Sequence, residues 1–437
     1  MKKSKRILLV AIAVFLVFAC FGCQGAGTAP AESAAPAASD AAASQSEGTE
    51  SASVQPAGEE GRYHKLTQED IMDVYSPVGK EVYQDMSMDE GIPSEDAAKL
   101  ALTDEEKEQI RSMGLKVAIE KDALDDAGKW QVAGMQEVAD DLGIEISDIW
   151  IAADKTGNSQ MDDYVRFEAI ADQYDAFFTL GVDMAASSEI LKKIMDKTKV
   201  GFICAAPFDV DWNHENLIGV SDADNYLAGV YSAQAAVDIL GGKGTIGVVG
   251  WENGHSGSFH TCWQRYEGWN DVFEANPDIK VIDKWYDAPG NAKQVISGLL
   301  ASNPDIELLL IDFANPPADQ AQALLKEMGY TAWGDIAMVT IDTDATIAVP
   351  MATDGPDNNY TAAFAGQDWY GAGKNIMLMY ARHLLDGSEN SPKFVAAPPT
   401  PVSVYENLKT NYEILAPEGW DIPAEVMALE NQWTYDQ

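Results

Sequence analysis

The run from Leu217 to Phe273 sets the tightest limit on how this chain can fold. It opens with an extended stretch, Ile218–Ser221. Asp224 or Asn225 then caps a helix expected over Tyr226–Leu240, and Gly241-Gly242 ends it. A short buried strand is expected over Thr245–Val249, then a loop rich in Gly, His and Ser, then a helix from about Thr261. Strand, loop and helix in this order make a parallel-sheet unit, because parallel neighbours need a crossover and a helix supplies it. Pockets in such sheets form beyond the carboxyl ends of the strands.

The same alternation extends in both directions. Upstream, Thr103 caps an acid-started helix that Gly114 stops. Strands are expected over Leu115–Glu120, Ile144–Ile151, Ala176–Thr179 and Val200–Cys204. Helices are expected over Trp130–Leu142, Met161–Ala171 and Met184–Met195, with 121–129 read as a polar turn. Downstream, strands are expected over Ile279–Trp285, Leu308–Ile311, Ala337–Ile341 and Tyr360–Ala365. The matching helices are Ala292–Ala301, Pro317–Met328, a weak one over Ala345–Met351 and a long one over Trp369–Leu385. Val402–Val404 reads as an extended return. This is the pattern of an α/β protein built on doubly wound parallel sheets.

At 437 residues the chain is long enough for two or three domains. It carries 29 Lys and Arg against 70 Asp and Glu, a formal net charge of −41. Such a surface repels nucleic acid, which sets DNA and RNA aside as partners. Four of the cations (Lys2, Lys3, Lys5 and Arg6) precede an apolar run, Ile7–Phe18, that is too short for an ordinary membrane span and fits a secretory signal. It ends in Val17-Phe18-Ala19-Cys20-Phe21-Gly22-Cys23, which resembles a bacterial lipobox. Residues 1–22 are therefore expected to be a lipoprotein signal peptide, cut before Cys20 or, alternatively, Cys23. Residues 23–61 are mostly Ala, Ser, Glu, Gly and Pro with no aromatic side chain and one Val, an expected disordered tether spanning roughly 35 Å as a coil. The two remaining cysteines, Cys204 and Cys262, are read as separate thiols, since a bridge between two lobes would restrain them.

Three runs carry a resemblance: Ser221-Asp222-Ala223-Asp224-Asn225-Tyr226, Gly241-Gly242-Lys243-Gly244 and Gln264-Arg265-Tyr266-Glu267-Gly268-Trp269. In order and in context, they resemble the type 1 periplasmic binding proteins, the ribose-binding group of sugar-transport components. The resemblance extends from about Leu102 to about Pro423. It implies two α/β lobes joined by a three-segment hinge, with crossings near Pro207–Ser221, near Gly366 and near Ala396–Pro401. The first lobe is then 62–220 plus about 367–398, with an N-terminal extension wrapped on it. The second is 221–366 plus about 399–437.

A sugar needs aromatic faces for its C–H surfaces and fixed polar groups for its hydroxyls. The resemblance assigns such contacts to Trp130, which holds an aromatic position of the family, or else covers the first lobe's core. Trp263 stands where ribose-like proteins have a ligand-binding Arg. Arg265 is either a ligand contact or a structural ion pair of the second lobe. Asn315, with Asp312 nearby, fills a polar strand-end position, and Asp342 matches the family's strand-end Asp. Gln367 opens a run resembling the family's hinge Gln. Asp126, beside Asp125, and Asp287 lie in strand-end loops within reach. Phe259 and His255 belong to a loop that can also reach a cleft. Cys204-Ala205-Ala206-Pro207 lacks the Asp-Arg pair that often grips ribose there, which points away from ribose, to a less polar solute or one with fewer hydroxyls on that side.

No Gly-x-Ser-x-Gly elbow, phosphate loop, His-Glu-x-x-His or Gly-x-Gly-x-x-Gly is present, so no catalytic residue, metal ligand or cofactor is expected. The resemblance implies instead a solute-binding lipoprotein of an ABC importer, with a sugar or sugar-like ligand and a membrane permease as partners. The alternative is a sensor or chemotaxis co-receptor of the same fold.

Overall fold

In the computed structural model of the protein, the residues described are 62–74, 92, 94–122, 125–153, 157–180, 184–207, 209–257, 259–415, 422–430 and 432–435. The expected signal peptide, the tether, Cys20 and Cys23 lie outside them.

Short apolar runs make the strands, and helices return the chain so that every strand pairs in parallel. β1 (Lys116–Lys121), β2 (Glu145–Ile151), β3 (Ala176–Thr179), β4 (Lys199–Ile203), β5 (Leu217–Ala223) and β11 (Phe394–Ala397) form one sheet, ordered β11-β5-β4-β3-β1-β2. β6 (Gly244–Trp251), β7 (Ile279–Tyr286), β8 (Leu308–Ile311), β9 (Ala337–Ile341) and β10 (Thr361–Ala365) form the other, ordered β10-β9-β8-β6-β7.

Helices cover both faces of the first sheet. α1 (Asp126–Leu142) and α9 (Trp369–Asp386) pack together on one side. α2 (Gly157–Glu168) and α3 (Met184–Met195) lie on the other, where Tyr164, Phe167, Leu191 and Ile194 meet Phe177, Val200 and Phe202. The second sheet carries α4 (Asn225–Ile239), α5 (His260–Ala275), α6 (Ala292–Ser302), α7 (Asp319–Met328) and α8 (Ala345–Asp354). A further helix, α10 (Leu408–Leu415), follows the last strand. These are two doubly wound lobes.

Two helix crossings are close because a glycine sits at each. A Cβ on Gly373 of α9 would lie 2.1 Å from the Gln131 carbonyl oxygen of α1. A Cβ on Gly229 of α4 would lie 2.3 Å from the Arg265 carbonyl oxygen of α5. Gln131 and Arg265 both reach the cavity described below, so these contacts set its walls.

The chain passes between the sheets three times. It leaves β5 for α4 at Asp224, whose side chain caps α4 by accepting from Leu227 N at 2.8 Å. It leaves β10 for α9 through 366–368. It leaves β11 through 398–401 and meets the second sheet again where Ser403 bridges Phe364.

The structure differs from the sequence expectations in several places. β11 joins the first sheet beside β5, where no strand was expected: its four apolar residues are framed by Pro392 and Pro398, which hide the run. The extended return expected over Val402–Val404 is present as an isolated antiparallel bridge between Ser403 and Phe364. A short helix, Glu252–His255, occupies part of the expected loop, and α1 begins at Asp126, inside the expected turn, because Asp125 caps it. The extension is not confined to the first lobe. Arg62 Nε donates to Glu307 at 2.7 Å and Tyr63 Oη to the Glu307 carbonyl at 2.8 Å, both on the second lobe. Ser94 and Glu95 instead bond the edge strand β11 of the first lobe. An unpaired strand edge and an acidic loop end each recruit the polar segment.

Candidate ligand-binding cleft

The carboxyl ends of both sheets face one cavity of about 130 Å³. A void holding one water per roughly 10–15 Å³ accommodates a solute of about ten non-hydrogen atoms. The first lobe contributes Lys121, Asp122 and Asp125 after β1, Leu180 after β3 and Cys204 after β4, with Gln131 from α1. The second contributes Trp251 after β6, Phe313 and Asn315 after β8, and Asp342, Thr343 and Asp344 after β9, with Phe259, Thr261 and Arg265 from the α5 end. Trp369, at the start of α9, lines it from the second crossing. The aromatic wall is therefore on the second-lobe and crossing side, and the first-lobe wall is polar.

Arg265 organises the second-lobe wall. Its side chain is fully buried. Nη2 donates to Asp342 Oδ1 at 2.9 Å and to Gln367 Oε1 at 2.7 Å. Nε donates to Asn225 Oδ1 at 3.1 Å, Nη1 to the Asp312 carbonyl, and the guanidinium lies over the Phe313 ring at 4.6 Å. Burying a charge costs several kcal/mol unless it is paired and hydrogen-bonded, and here it is both. Burial raises the Asp342 carboxyl despite its Arg partner. Asp342 also holds φ 88°, a left-handed value that L-residues adopt at a cost of about 1–3 kcal/mol, as does Cys204 at φ 71°.

Behind this pair sits a second carboxylate. Asp312 is fully buried and accepts from Tyr266 Oη at 2.6 Å, Tyr286 Oη at 2.7 Å and Trp251 N at 2.8 Å. Burial lifts its carboxyl to about 6. On the first-lobe side, Lys121 donates to Gln131 Oε1, and Gln131 Nε2 approaches Cys204 Sγ at 3.8 Å. Gln367 Nε2 donates to Asn225 Oδ1 at 2.6 Å, and Asn225 Nδ2 to Asp222 Oδ2 at 2.8 Å. A polar chain thus runs through the crossings behind the cavity.

Three buried polar atoms of lining residues find no partner among the described residues: the hydroxyls of Thr261 and Thr343 and the indole Nε1 of Trp369. These residues are 2%, 3% and 4% exposed. Leaving a buried donor unmade costs about 1–3 kcal/mol.

The sequence-expected residues fall into two groups. Arg265, Asn315 and Asp342 come together on the cavity wall, and Asn315 precedes a cis peptide to Pro316. Gln367, Asp126, Trp130, Trp263 and Asp287 do not line it. Gln367 is fully buried beneath Arg265, Asp126 accepts from Ala345 N at 3.1 Å, and Trp130 packs edge-on against Tyr412. Trp263 stacks on His260 at 5.5 Å, and Asp287 is exposed and bound by Asn291 at 2.7 Å. Phe259 reaches the cavity, while His255 stacks on Trp285. Sequence reading missed Lys121, Gln131, Trp251, Phe313, Thr343, Asp344 and Trp369. Several sit within one or two residues of a strand end, a signal that could have found them. Cys204 and Cys262 are both free and buried.

Two parallel-sheet lobes meeting over a polar and aromatic cavity define the two-lobed binding-protein architecture. The chain belongs to the periplasmic binding protein domain family, whose sequence model matches residues 125–389, a family of binding proteins and not of enzymes. No curated protein sequence matches it. Among solved structures it is similar to an ABC sugar transporter subunit from Rhodobacter sphaeroides, at 22% identity over 67% of this chain and 99% of that one, with a TM-score of 0.56. It is also similar to a glucose-galactose binding protein from Geobacillus stearothermophilus, at 17% identity over 68% and 99%, with a TM-score of 0.57. A solute-binding protein from Agrobacterium vitis with bound allitol shares 18% identity over 69% and 99%, with a TM-score of 0.57. At these identities the structural likeness establishes the fold.

Proposed function

We propose that the protein is the extracytoplasmic solute-binding component of an ABC importer. It takes a sugar or sugar-like polar molecule in the inter-lobe cleft and delivers it to a membrane permease. The observation that carries this reading is the cavity at the carboxyl ends of the two sheets, lined by the Arg265–Asp342 pair and by Trp251, Phe313 and Trp369. Asn315 and the lining carboxylates of Asp125, Asp342 and Asp344 would bond a solute's hydroxyls, and the rings of Trp251, Phe313 and Trp369 would cover C–H faces. The solved relatives described as binding allitol and glucose or galactose support the same solute class.

The lobes would act as two jaws, one on each sheet, moving about the three crossings. A ligand touching both jaws favours the closed form by its extra contacts there. The basic and apolar N-terminus supports export, and Cys20 or Cys23 supports a lipid anchor holding the protein at the outer face of the cell membrane.

A thermal-shift screen of pentoses, hexoses, polyols and nucleosides tests the reading. A solute that raises the melting temperature of the protein, and loses that effect in Asp342→Asn and Trp369→Phe, supports it. A stabilising solute indifferent to both changes places the site elsewhere.

A further inference from the structure

Asp312 directly follows β8 and is fully buried behind the cavity, which it does not line. It holds two residues that do. Its Oδ2 accepts from Trp251 N at 2.8 Å, and its carbonyl accepts from Arg265 Nη1. Trp251 belongs to the aromatic wall, and Arg265 holds Asp342 in the same lobe. One buried residue therefore seats both the aromatic and the charged part of the second-lobe wall.

The seat suits a carboxylate. Oδ2 also accepts from Tyr266 Oη at 2.6 Å, and Oδ1 accepts from Tyr286 Oη at 2.7 Å. Tyr266 Oη reaches Trp251 N as well, at 2.7 Å, and glycine at 250 leaves it the room: a Cβ there would lie 2.7 Å from that oxygen. Donors from α5, β6 and β7 thus converge on the two oxygens of one side chain. An ionised carboxylate offers acceptors alone and takes every one of them. A carboxylic acid or an amide puts a donor at one of the two positions, and a buried donor that meets a donor loses its bond.

Acid is the condition that removes this charge. Burial lifts the Asp312 carboxyl to about 6, although the two tyrosines, Arg265 and Trp251 N all favour the ion. The other ionisable groups around it are Cys262, Tyr266 and Arg265 of α5 and Tyr286 of β7, with Asp342 beyond Arg265. Burial pushes the thiol and both phenols up, and the guanidinium keeps its charge, so none of these four changes state in mildly acidic or neutral solution. Asp342, raised by burial, is the one other acid of the group.

We propose, on the reading of the cleft as the solute site, that Asp312 is its positioning residue. The carboxylate holds Trp251, and the chain turn whose carbonyl carries Arg265, in the binding geometry. Protonation releases that hold, so solute capture weakens as the surroundings turn acid. Asp312 acts through the wall and touches no solute itself.

Isothermal titration of the full chain at pH 5, 6, 7 and 8 tests this, with the tightest binder among a panel of pentoses, hexoses and polyols. Asp312→Asn keeps the shape of the side chain and loses an acceptor. At pH 8 it should bind at least about ten-fold more weakly than the native protein, and at pH 5 within about three-fold. The other acids of the cleft are common to both proteins and cancel in this ratio. Tyr286→Phe removes one donor and leaves the Trp251 seat on Oδ2 in place. Losing a bond to the ion raises the pH at which Asp312 takes up its proton. This variant should match the native affinity within about two-fold at pH 8 and fall about three-fold below it near pH 6. Should Asp312→Asn not fold, Tyr286→Phe decides alone. An Asp312→Asn protein weakened equally at every pH, or not at all, overturns the inference, as does a Tyr286→Phe protein that matches the native one throughout. Each of these leaves the solute-binding reading intact. If no member of the panel binds the native protein, both are overturned.

Discussion

Arg265 Nη2 lies 2.9 Å from Asp342 Oδ1, joining α5 to the end of β9 in the wall of the cleft. The guanidinium is fully buried, and Asp342 is the carboxylate it bonds through a side chain. Removing one member of a buried pair leaves an uncompensated charge, which costs about 3–5 kcal/mol. Asp342→Ala should therefore lower the unfolding free energy by that amount, read as a lower urea midpoint at unchanged slope, and Asp342→Asn, which keeps a hydrogen-bond acceptor, by less than half as much. Equal losses in the two variants would show that the charge pairing is not what stabilises Asp342.

Trp369 lines the cavity, and its buried indole N–H has no partner among the described residues. Phe keeps a smaller aromatic ring and drops the donor. Trp369→Phe should lower the melting temperature of the free protein, because it leaves a void at a buried ring, and weaken a bound sugar about ten-fold, the worth of one hydrogen bond at about 1.4 kcal/mol. Titration calorimetry reads this directly, and undiminished affinity would mean that the N–H does not touch the solute.

Stability should depend on pH through Glu120, buried behind the first-lobe wall. It accepts from Thr179 Oγ1 at 2.6 Å and Gln160 Nε2 at 3.1 Å. Burial raises its carboxyl from 4.5 to about 7. The folded protein thus holds a proton that the unfolded chain releases across that window. The group's contribution is full below about pH 4.5 and is lost as pH climbs to 7. Asp312, lifted to about 6, acts in the same direction. His260 and His383, pushed to about 4 by burial, act oppositely, losing stability as pH falls from 6.5. Glu120→Gln isolates the acid: relative to the native protein it should gain on the order of 1–2 kcal/mol between pH 5 and pH 7.5. A flat difference across that range would mean that Glu120 titrates like an exposed carboxyl.

The fold was legible because each βα unit announces itself locally. A β-rich run, a Gly or Asp at its end and a capped helix need only neighbouring residues, as at Asp125 before α1 or Thr103 in its capping box. The site was legible only where a residue sits at a strand end, as Asn315 and Asp342 do. The rest is set by long-range partners. Trp130 has the same helical phase whether it stacks on a solute or fills the core, and the choice was made by Tyr412, far along the chain. Gln367 polarises Arg265 from beneath because the second crossing runs behind the cavity, a depth that sequence spacing does not encode.

The glycine at the α1–α9 crossing predicts a paired result. A methyl on Gly373 would come 2.1 Å from a backbone oxygen, which cannot move aside without shifting Gln131 and the wall it supports. Gly373→Ala should cost at least about 1–3 kcal/mol. Gly298, inside α6, has nothing within 4 Å of the same added methyl. Gly298→Ala should stabilise by about 0.5–1 kcal/mol through helix propensity alone. Denaturant melts of both variants check the contrast, which fails if the two changes have the same sign.

Two contacts tie the lobes to each other outside the cavity lining. Trp130 on α1 meets Tyr412 on α10 edge-on, with ring centroids 6.1 Å apart and planes at 85°. Asp126, the first residue of α1, accepts from Ala345 N of α8 at 3.1 Å. An aromatic pair contributes about 0.5–1.5 kcal/mol beyond its buried area, and a bond to a charged acceptor about 1.5–3 kcal/mol. Together they are large enough to move an open–closed equilibrium by a factor of roughly 30 or more. Trp130→Ala with Asp126→Ala should therefore enlarge the radius of gyration of the solute-free protein in small-angle scattering, and saturating solute should reverse the change. If the radius stays the same with and without solute, these contacts do not hold the lobes together.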